Sequence, residues 1–298
     1  MSTQTFAKER FTFQSSGERI IGNLFVPRGA DASGLVVTTG PFTSVKEQAA
    51  GAYAQAMAAR GLAALAFDHR CFGESGGQPR QFENPRARVE DIRAAATALL
   101  DDGRFAELPV YGLGVCYGAG PMAIAVDEDE RCKAFAGVAG VYTDGAQTKE
   151  WLGDGYRAAM QRAQEAERVW KQTGVAETIP AVAPEGGDVA MPLREAYEFY
   201  GTPRGAVENY TNGFAVQSRV YTLPFDVMYL VQQMRKPVLV VHSERALLPS
   251  LAHRFFDGLG GRKGELWLQS VGQIDFYDDP KLINRAADEA ADWFRRHP

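Results

Sequence analysis

The sequence predicts an α/β fold, in which a mostly parallel central sheet carries helices on both faces. Short apolar runs typical of buried strands alternate with longer segments of helical periodicity over most of the 298 residues. This alternation stops after residue 143, gives way to helical pieces, and resumes at residue 234. We therefore expect one core domain formed by residues 1–143 and 234–298, with a helical cap inserted at residues 144–233.

Before the insertion, strands and helices follow one another in a regular order. Strands at 11–15 and 19–26 are joined at 16–18 by Ser-Gly-Glu, which is a hairpin signal. The β-branched run at 35–39 predicts a buried strand, and the alanine-rich segment 46–60, closed by a glycine, predicts a helix. The further elements expected here are strands at 62–67, 110–115 and 134–142, a helix at 87–100 and a helix after residue 118.

The insertion and the C-terminal part differ in pattern. Residues 144–233 are rich in aromatic residues and proline, and they contain helical pieces at 156–173 and 193–200 but no clear buried strand. After the insertion we expect strands at 237–242 and 265–271, and helices at 250–259 and 281–296.

Composition excludes several classes of function. The net charge of −5 leaves no basic surface for nucleic acid, and no run of about 18 apolar residues is present to cross a membrane. Residues 1–10 lack the apolar core of a signal peptide, so we expect a cytoplasmic protein. Cys71, Cys116 and Cys132 show no C-x-x-C spacing, which argues against disulfides and structural zinc. With no cofactor fingerprint, we expect no metal and no cofactor; homodimer formation stays open.

The most informative stretch runs from Val110 to Val126. An apolar run ends at Gly114-Val115-Cys116-Tyr117-Gly118, and a second apolar run follows at once, so a strand, a sharp turn and a helix are expected. This is the pattern of a nucleophile elbow with a cysteine at its centre. The glycines leave room for a strained central residue, and the N-terminus of the following helix favours a thiolate. A dinucleotide-binding loop is excluded, because its last glycine would fall on Tyr117.

Four further stretches of the chain carry a family resemblance. They are G-P-F-T-S-V-K-E-Q at 40–48, F-D-H-R-C-F-G-E-S-G-G at 67–77, V-V-H-S-E at 240–244 and I-D-F-Y-D at 274–278. With the elbow, and in this order, they resemble the α/β-hydrolase superfamily, most closely its bacterial esterase-type branch related to dienelactone hydrolase. The resemblance implies the α/β-hydrolase fold and, since dienelactone hydrolase also uses a cysteine, a nucleophile at Cys116.

The resemblance also implies an oxyanion hole made of two backbone N–H groups. One belongs to Tyr117, the residue after the nucleophile, and the other comes from the loop after the strand at 35–39. Pro41 has no N–H, so we expect Phe42 to be the second donor, with Thr43 as the next choice.

The acid and the base depart from the family pattern. The family aspartate would fall near Ala246, so the nearest carboxylate, Glu244, is the expected acid, and Asp144 is the alternative. Gln273 stands where the family places its catalytic histidine, and an amide cannot act as a general base. Of the four histidines, His69 is the candidate substitute, because it follows a central strand at the same sheet edge as the elbow.

These residues predict an enzyme in which Cys116 acts on a carbonyl or acyl group. We expect cleavage of an ester, thioester or lactone, or acyl transfer, with ordinary hydrolysis impaired because Gln273 replaces the histidine. Two alternatives stay open: a non-hydrolytic enzyme that cyclises, eliminates or isomerises a carbonyl compound, and a catalytically silent small-molecule binder. The aromatic residues of the cap favour a hydrophobic or aromatic small-molecule substrate.

Overall fold

The computed structural model describes residues 5–298 and is built around one eight-stranded sheet. The ten strands are β1 (Phe6–Ser15), β2 (Glu18–Pro27), β3 (Leu35–Thr39), β4 (Ala63–Phe67), β5 (Val110–Val115), β6 (Cys132–Val138), β7 (Thr178–Ile179), β8 (Phe214–Ala215), β9 (Val238–His242) and β10 (Lys263–Trp267). In the large sheet the order is β1-β2-β4-β3-β5-β6-β9-β10, while β7 and β8 form a separate pair. Only the β1–β2 and β2–β4 pairs of the large sheet are antiparallel, so the predicted mostly parallel sheet is confirmed.

Helices cover both faces of the sheet. They are α1 (Ala49–Ala58), α2 (Pro85–Asp101), α3 (Ala119–Glu128), α4 (Gly145–Leu152), α5 (Asp154–Thr173), α6 (Arg194–Tyr200), α7 (Arg219–Thr222), α8 (Pro249–Gly258), α9 (Asp275–Asp278) and α10 (Pro280–Arg295). Strand β5 shows the two faces directly. The Tyr111 ring stacks on Phe294 of α10, while a Cβ at the next residue, Gly112, would meet Met122 of α3. The described residues contain no helix with both the length and the hydropathy of a bilayer span.

Several elements differ from the sequence prediction, either in their bounds or by being additional. The strand expected at 134–142 ends at Val138, because Ala139 has a φ of 42° and leaves the extended conformation. The segment at 274–278 contains the short helix α9. The insertion contains β8, whose two residues are buried, although no buried strand was expected there.

Residues 144–233 contain α4 to α7 together with β7 and β8. Several polar contacts join this segment to the rest of the chain, and two of them are buried. Gln48 Nε2 donates to the Gly205 carbonyl at 2.8 Å, and the Glu83 backbone N–H donates to Ser218 Oγ at 2.9 Å. Phe199 packs within the same buried cluster as the sheet strands. These contacts place the segment on the sheet, and the boundaries of core and cap stay a prediction.

The two loop stretches at 40–48 and 67–77, which carry part of the family resemblance, are held together by a buried ion pair. Lys46 Nζ lies 2.7 Å from Asp68 Oδ2, and the Lys46 backbone N–H donates to Asp68 Oδ1 at 2.8 Å. The Glu74 N–H also donates to Asp68, at 2.9 Å. Because a buried charge is tolerated only when it is paired and hydrogen-bonded, these residues hold the loops at the carboxyl edge of the sheet.

Candidate active site

The turn after β5 places Cys116 in a strained backbone conformation. Its φ is 55°, in the left-handed region that a residue with a side chain adopts at a cost of roughly 1–3 kcal/mol. The flanking glycines are required by close packing. A Cβ on Gly114 would lie 2.5 Å from Ala119 Cα, and a Cβ on Gly118 would lie 2.6 Å from the Gly40 carbonyl oxygen. The elbow therefore presents Cys116 beside the loop that follows β3.

Two backbone N–H groups lie beside the Cys116 sulfur. They belong to Tyr117 and Phe42, the two groups expected to form an oxyanion hole, and both lower the pKa of the thiol, which burial raises. The next choice from the sequence, Thr43, is used elsewhere: its N–H donates to Glu83 Oε2 at 3.3 Å. The geometry thus places Phe42 and Tyr117, and not Thr43, around the thiol.

A buried arginine–carboxylate pair supports the loop that carries Phe42. Arg88 Nε lies 2.5 Å from Glu83 Oε1, and Arg88 Nη2 lies 2.7 Å from Glu83 Oε2. The same guanidinium donates to the carbonyls of Gly40 at 3.1 Å and Pro41 at 3.3 Å, and it lies over the Tyr117 ring. Bidentate pairing of this kind fixes geometry as well as charge. Arg88 therefore connects both halves of the candidate oxyanion hole.

Gln273 is buried, and its amide is held in one orientation. Its Nε2 donates to the Ala139 carbonyl at 2.9 Å, and its Oε1 accepts from the Leu247 N–H at 2.8 Å. A carbonyl can only accept and a backbone N–H can only donate, so the oxygen and nitrogen of the amide are assigned unambiguously. The second Nε2 hydrogen faces the Tyr277 hydroxyl, with 3.3 Å between the heavy atoms.

Tyr277 lies between Gln273 and Cys116. Because its oxygen accepts from Gln273, its own proton is free to point towards the Cys116 sulfur. Burial raises the pKa of the Cys116 thiol above its ordinary value, and the hydrogen bond from Tyr277 is the largest effect that lowers it. Because burial raises the pKa of the thiol, the expected gain in thiolate is not found.

The structure does not bring the expected acids to Gln273. Glu244 is 68% exposed and pairs with His253 Nε2 at 2.8 Å. Asp144 caps α4 by accepting from the Gln147 N–H at 2.9 Å, and it pairs with Arg254. The Gln273 side-chain oxygen instead contacts the Leu247 N–H. This group donates a hydrogen bond, whereas the carboxylate of a catalytic acid would accept one.

His69 is also separate from the nucleophile. It is buried beside Asp91, with 3.4 Å between its Nδ1 and Asp91 Oδ2, and it lines a different cavity of about 250 Å³. Burial, together with the nearby Arg88 charge, lowers the pKa of His69. We therefore correct the expectation that His69 substitutes for the missing base.

Cys116 opens into a cavity of about 390 Å³ between the sheet edge and the insertion. Most of its wall is apolar, and Tyr200 and Phe214 are the aromatic residues that the insertion contributes to it. Burial raises the pKa of Tyr200 well above its ordinary value, so its hydroxyl stays protonated. Two charged side chains reach the wall, Glu195 and Arg219. Such a site suits a largely apolar small molecule that carries a few polar groups.

Sequence reasoning did not identify Tyr277 and Leu247 as parts of the site. Tyr277 follows Gln273 by four residues, which is the spacing of one helical turn, and α9 provides that turn. Predicting a helix at 274–278 would therefore have placed Tyr277 beside Gln273. Leu247 acts through its backbone N–H, a group that every residue except proline carries, so no residue type marks it.

The comparisons with known proteins agree with this fold. A family model described as serine aminopeptidase, S33, matches residues 46–266. The uncharacterized protein PA2218 of Pseudomonas aeruginosa is 31% identical over 297 residues, covering 94% of this chain and 78% of that protein. A crystal structure of the hypothetical protein PA2218 superposes with a TM-score of 0.86 at 24% identity, over 99% of this chain and 95% of that chain.

Two further relatives bear on chemistry and on the fold. The polyketide transferase claH of Penicillium crustosum is 31% identical over 128 residues, which is 41% of this chain and 42% of that protein. A crystal structure of dienelactone hydrolase from Anabaena variabilis has a TM-score of 0.60 at 13% identity, covering 98% of this chain and 99% of that chain. At this identity the second likeness shows the fold alone.

Proposed function

Because the chain belongs to the serine aminopeptidase S33 family, whose members have the α/β-hydrolase fold, we propose that it is an acyl-processing enzyme with Cys116 as the nucleophile. One observation carries the proposal: a strained cysteine at the elbow receives two backbone N–H groups, while the residue at the base position is an amide held in one orientation. The first part favours attack on an acyl carbon. The second part impairs the use of water.

In the first step the Cys116 sulfur attacks the carbonyl carbon of an activated ester, thioester or lactone. A sulfur–carbon bond forms, the bond to the leaving oxygen or sulfur breaks, and the thiol proton passes to that leaving atom. The negative charge on the carbonyl oxygen develops beside the N–H groups of Phe42 and Tyr117. Tyr277 donates to the sulfur and so stabilises the thiolate as it forms.

The second step decides the outcome of the reaction. Release of the acyl group by water requires a base to take a proton, and Gln273 has no proton equilibrium near neutral pH. Its oxygen is also occupied by the Leu247 N–H. An acceptor thiol or amine is a better nucleophile than water and can take the acyl group, so that the acceptor loses a proton and Cys116 regains one. Acyl transfer is therefore favoured over hydrolysis.

One relative and the apolar cavity support acyl transfer. The polyketide transferase claH carries a transferase name, although it aligns with less than half of this chain. The apolar cavity beside Cys116 suits a hydrophobic or aromatic acyl group. Neither the non-hydrolytic alternative nor the silent binder has a comparable observation in its favour.

The proposal is tested by mass spectrometry of the intact protein after mixing with activated aryl esters and thioesters of apolar acids. We expect one acyl group per chain, a burst of leaving group, slow loss of the adduct in water, and rapid loss after addition of a small thiol or amine. Cys116→Ala should form no adduct. Cys132→Ala is the matched control, because Cys132 is a buried cysteine at the start of β6 outside the cavity lining.

Three results would overturn the proposal. One is the absence of any adduct with every ester and thioester in the panel. Another is an adduct that persists in Cys116→Ala, which would place the acyl group on another residue. The third is turnover of a carbonyl compound that Cys116→Ala retains, which would favour the non-hydrolytic alternative.

A further inference from the structure

Arg219 is the one basic side chain among the described residues that line the Cys116 cavity. It is the first residue of α7 in the insertion, and its side chain is 18% exposed. Most of this side chain is therefore shielded from bulk water. A guanidinium in such a position is stabilised when its N–H groups find acceptors.

The protein provides hydrogen-bond acceptors for only a small part of this guanidinium. Its contacts are one hydrogen bond from Nη2 to the Val189 carbonyl at 3.4 Å and one ion pair with Asp188 Oδ1 at 3.8 Å. Asp188 makes its closer contact with Arg162, at 2.7 Å. An arginine has five N–H donors in a planar fork, so most of this fork lacks an acceptor in the part of the chain that the structure describes.

An aromatic path leads from Arg219 to the oxyanion hole. The guanidinium carbon lies 6.0 Å from the centre of the Phe214 ring, and the Phe214 ring centre lies 5.4 Å from that of Phe42. Phe42 also packs edge-on against Tyr117, the residue after the nucleophile. Cys116, Phe214 and Arg219 line the same cavity, so a ligand whose acyl carbon lies at Cys116 can extend along the Phe214 ring towards Arg219.

We propose that Arg219 binds a carboxylate at the far end of the acyl group, so that the preferred substrates are activated monoesters or monothioesters of dicarboxylic acids. A carboxylate matches the guanidinium fork with two parallel hydrogen bonds. One guanidinium balances one negative charge, whereas a dianionic phosphate would leave a second negative charge uncompensated beside Asp188. The apolar wall of the cavity between Cys116 and Arg219 suits the hydrocarbon chain that would join the acyl carbon to the carboxylate of the substrate. This inference rests on the proposed function, since it assumes acylation of Cys116.

The experiment compares pairs of activated thioesters that differ only at the far end, one with a free carboxylate and one with a neutral methyl ester, in a series of chain lengths. The rate of acylation of Cys116 is followed by intact mass. We expect the parent protein to prefer the carboxylate by about 10- to 100-fold at the best chain length, as a charge-assisted hydrogen-bond pair in a shielded site provides. Arg219→Met should reduce this ratio to near one, and Arg219→Lys should retain part of it.

Arg168→Met is the matched control, because Arg168 lies on α5 of the same insertion, is 54% exposed and pairs with Glu165. It should keep the preference of the parent protein. Equal rates for both members of every pair in the parent, or a preference that survives in Arg219→Met, would overturn the inference. In either case acylation by the neutral thioesters leaves the proposed function standing. If no thioester of either kind acylates Cys116, the proposed function itself fails.

Discussion

Replacing Gln273 with histidine introduces the residue that the family resemblance implies at this position, but it should not produce efficient hydrolysis. The neighbours of the Gln273 amide determine the protonation of a ring placed there. In the present protein the Leu247 N–H donates to Gln273 Oε1 at 2.8 Å. A ring nitrogen in the position of Oε1 would meet the same N–H and would have to accept from it. The other nitrogen would face the Ala139 carbonyl, now at 2.9 Å, and must carry the proton. Both nitrogens of that neutral ring are then occupied by backbone groups, one as acceptor and one as donor, so the ring cannot remove a proton from water.

The size of this effect follows from the tautomer. Holding a catalytic histidine in the wrong tautomer costs a factor of about 10⁴ in rate in a serine protease, which corresponds to about 5.5 kcal/mol of barrier. We therefore expect the deacylation rate of Gln273→His to stay within about tenfold of the parent rate, because a ring in the wrong tautomer loses almost all of the rate increase that a general base would provide. Adding Ala246→Asp supplies an acceptor where the family aspartate falls. The double variant should deacylate at least about 100-fold faster than Gln273→His.

The assay loads each protein with one acyl group, removes the excess ester on a desalting column and follows the decay of the acyl-enzyme mass in buffer. Ala246→Asp alone is the control, since it adds a carboxylate without a base. Fast hydrolysis by Gln273→His alone would refute the reasoning from the Leu247 and Ala139 contacts. Equal rates for the single and double variants, both folded, would show that an acid at position 246 does not orient the ring.

Two further predictions concern the surroundings of Cys116. Tyr277→Phe removes the hydroxyl that donates to the sulfur, so the pKa of Cys116, already raised by burial, should rise further. Alkylation by iodoacetamide at neutral pH should then slow about three- to tenfold and its pH profile should move to higher pH; an unchanged profile would contradict this. Arg88→Met leaves the Glu83 carboxylate buried without its partner, so urea unfolding should show a loss of about 3–5 kcal/mol, and Glu83→Gln in the same chain should recover part of it. Acylation of Arg88→Met should fall more than alkylation, which does not use the oxyanion hole, and equal losses would show that Arg88 acts only on stability.

Local patterns in the sequence were enough to predict the fold and the turn that carries Cys116. The alternation of apolar runs and helical segments predicted the mostly parallel sheet, because strand and helix periodicity are properties of neighbouring residues. The elbow around Cys116 was predictable for the same reason: its glycines are needed within one turn, where Gly114 meets Ala119. The absence of histidine at position 273 was equally visible in the sequence.

Only the tertiary structure decided how these residues act together. Glu244 is close in sequence to the expected acid position, yet it faces solvent beside His253, while a leucine backbone N–H takes the contact with Gln273. The protonation of Cys116 follows from burial by residues far away in the chain, which raises its pKa above its ordinary value. Which donors, acceptors and ring faces meet depends on contacts between distant segments, and residue types and spacing do not encode that geometry. The sequence by itself thus determined the fold and the position of Cys116 at the turn after β5, and the long-range packing determined the environment of its thiol.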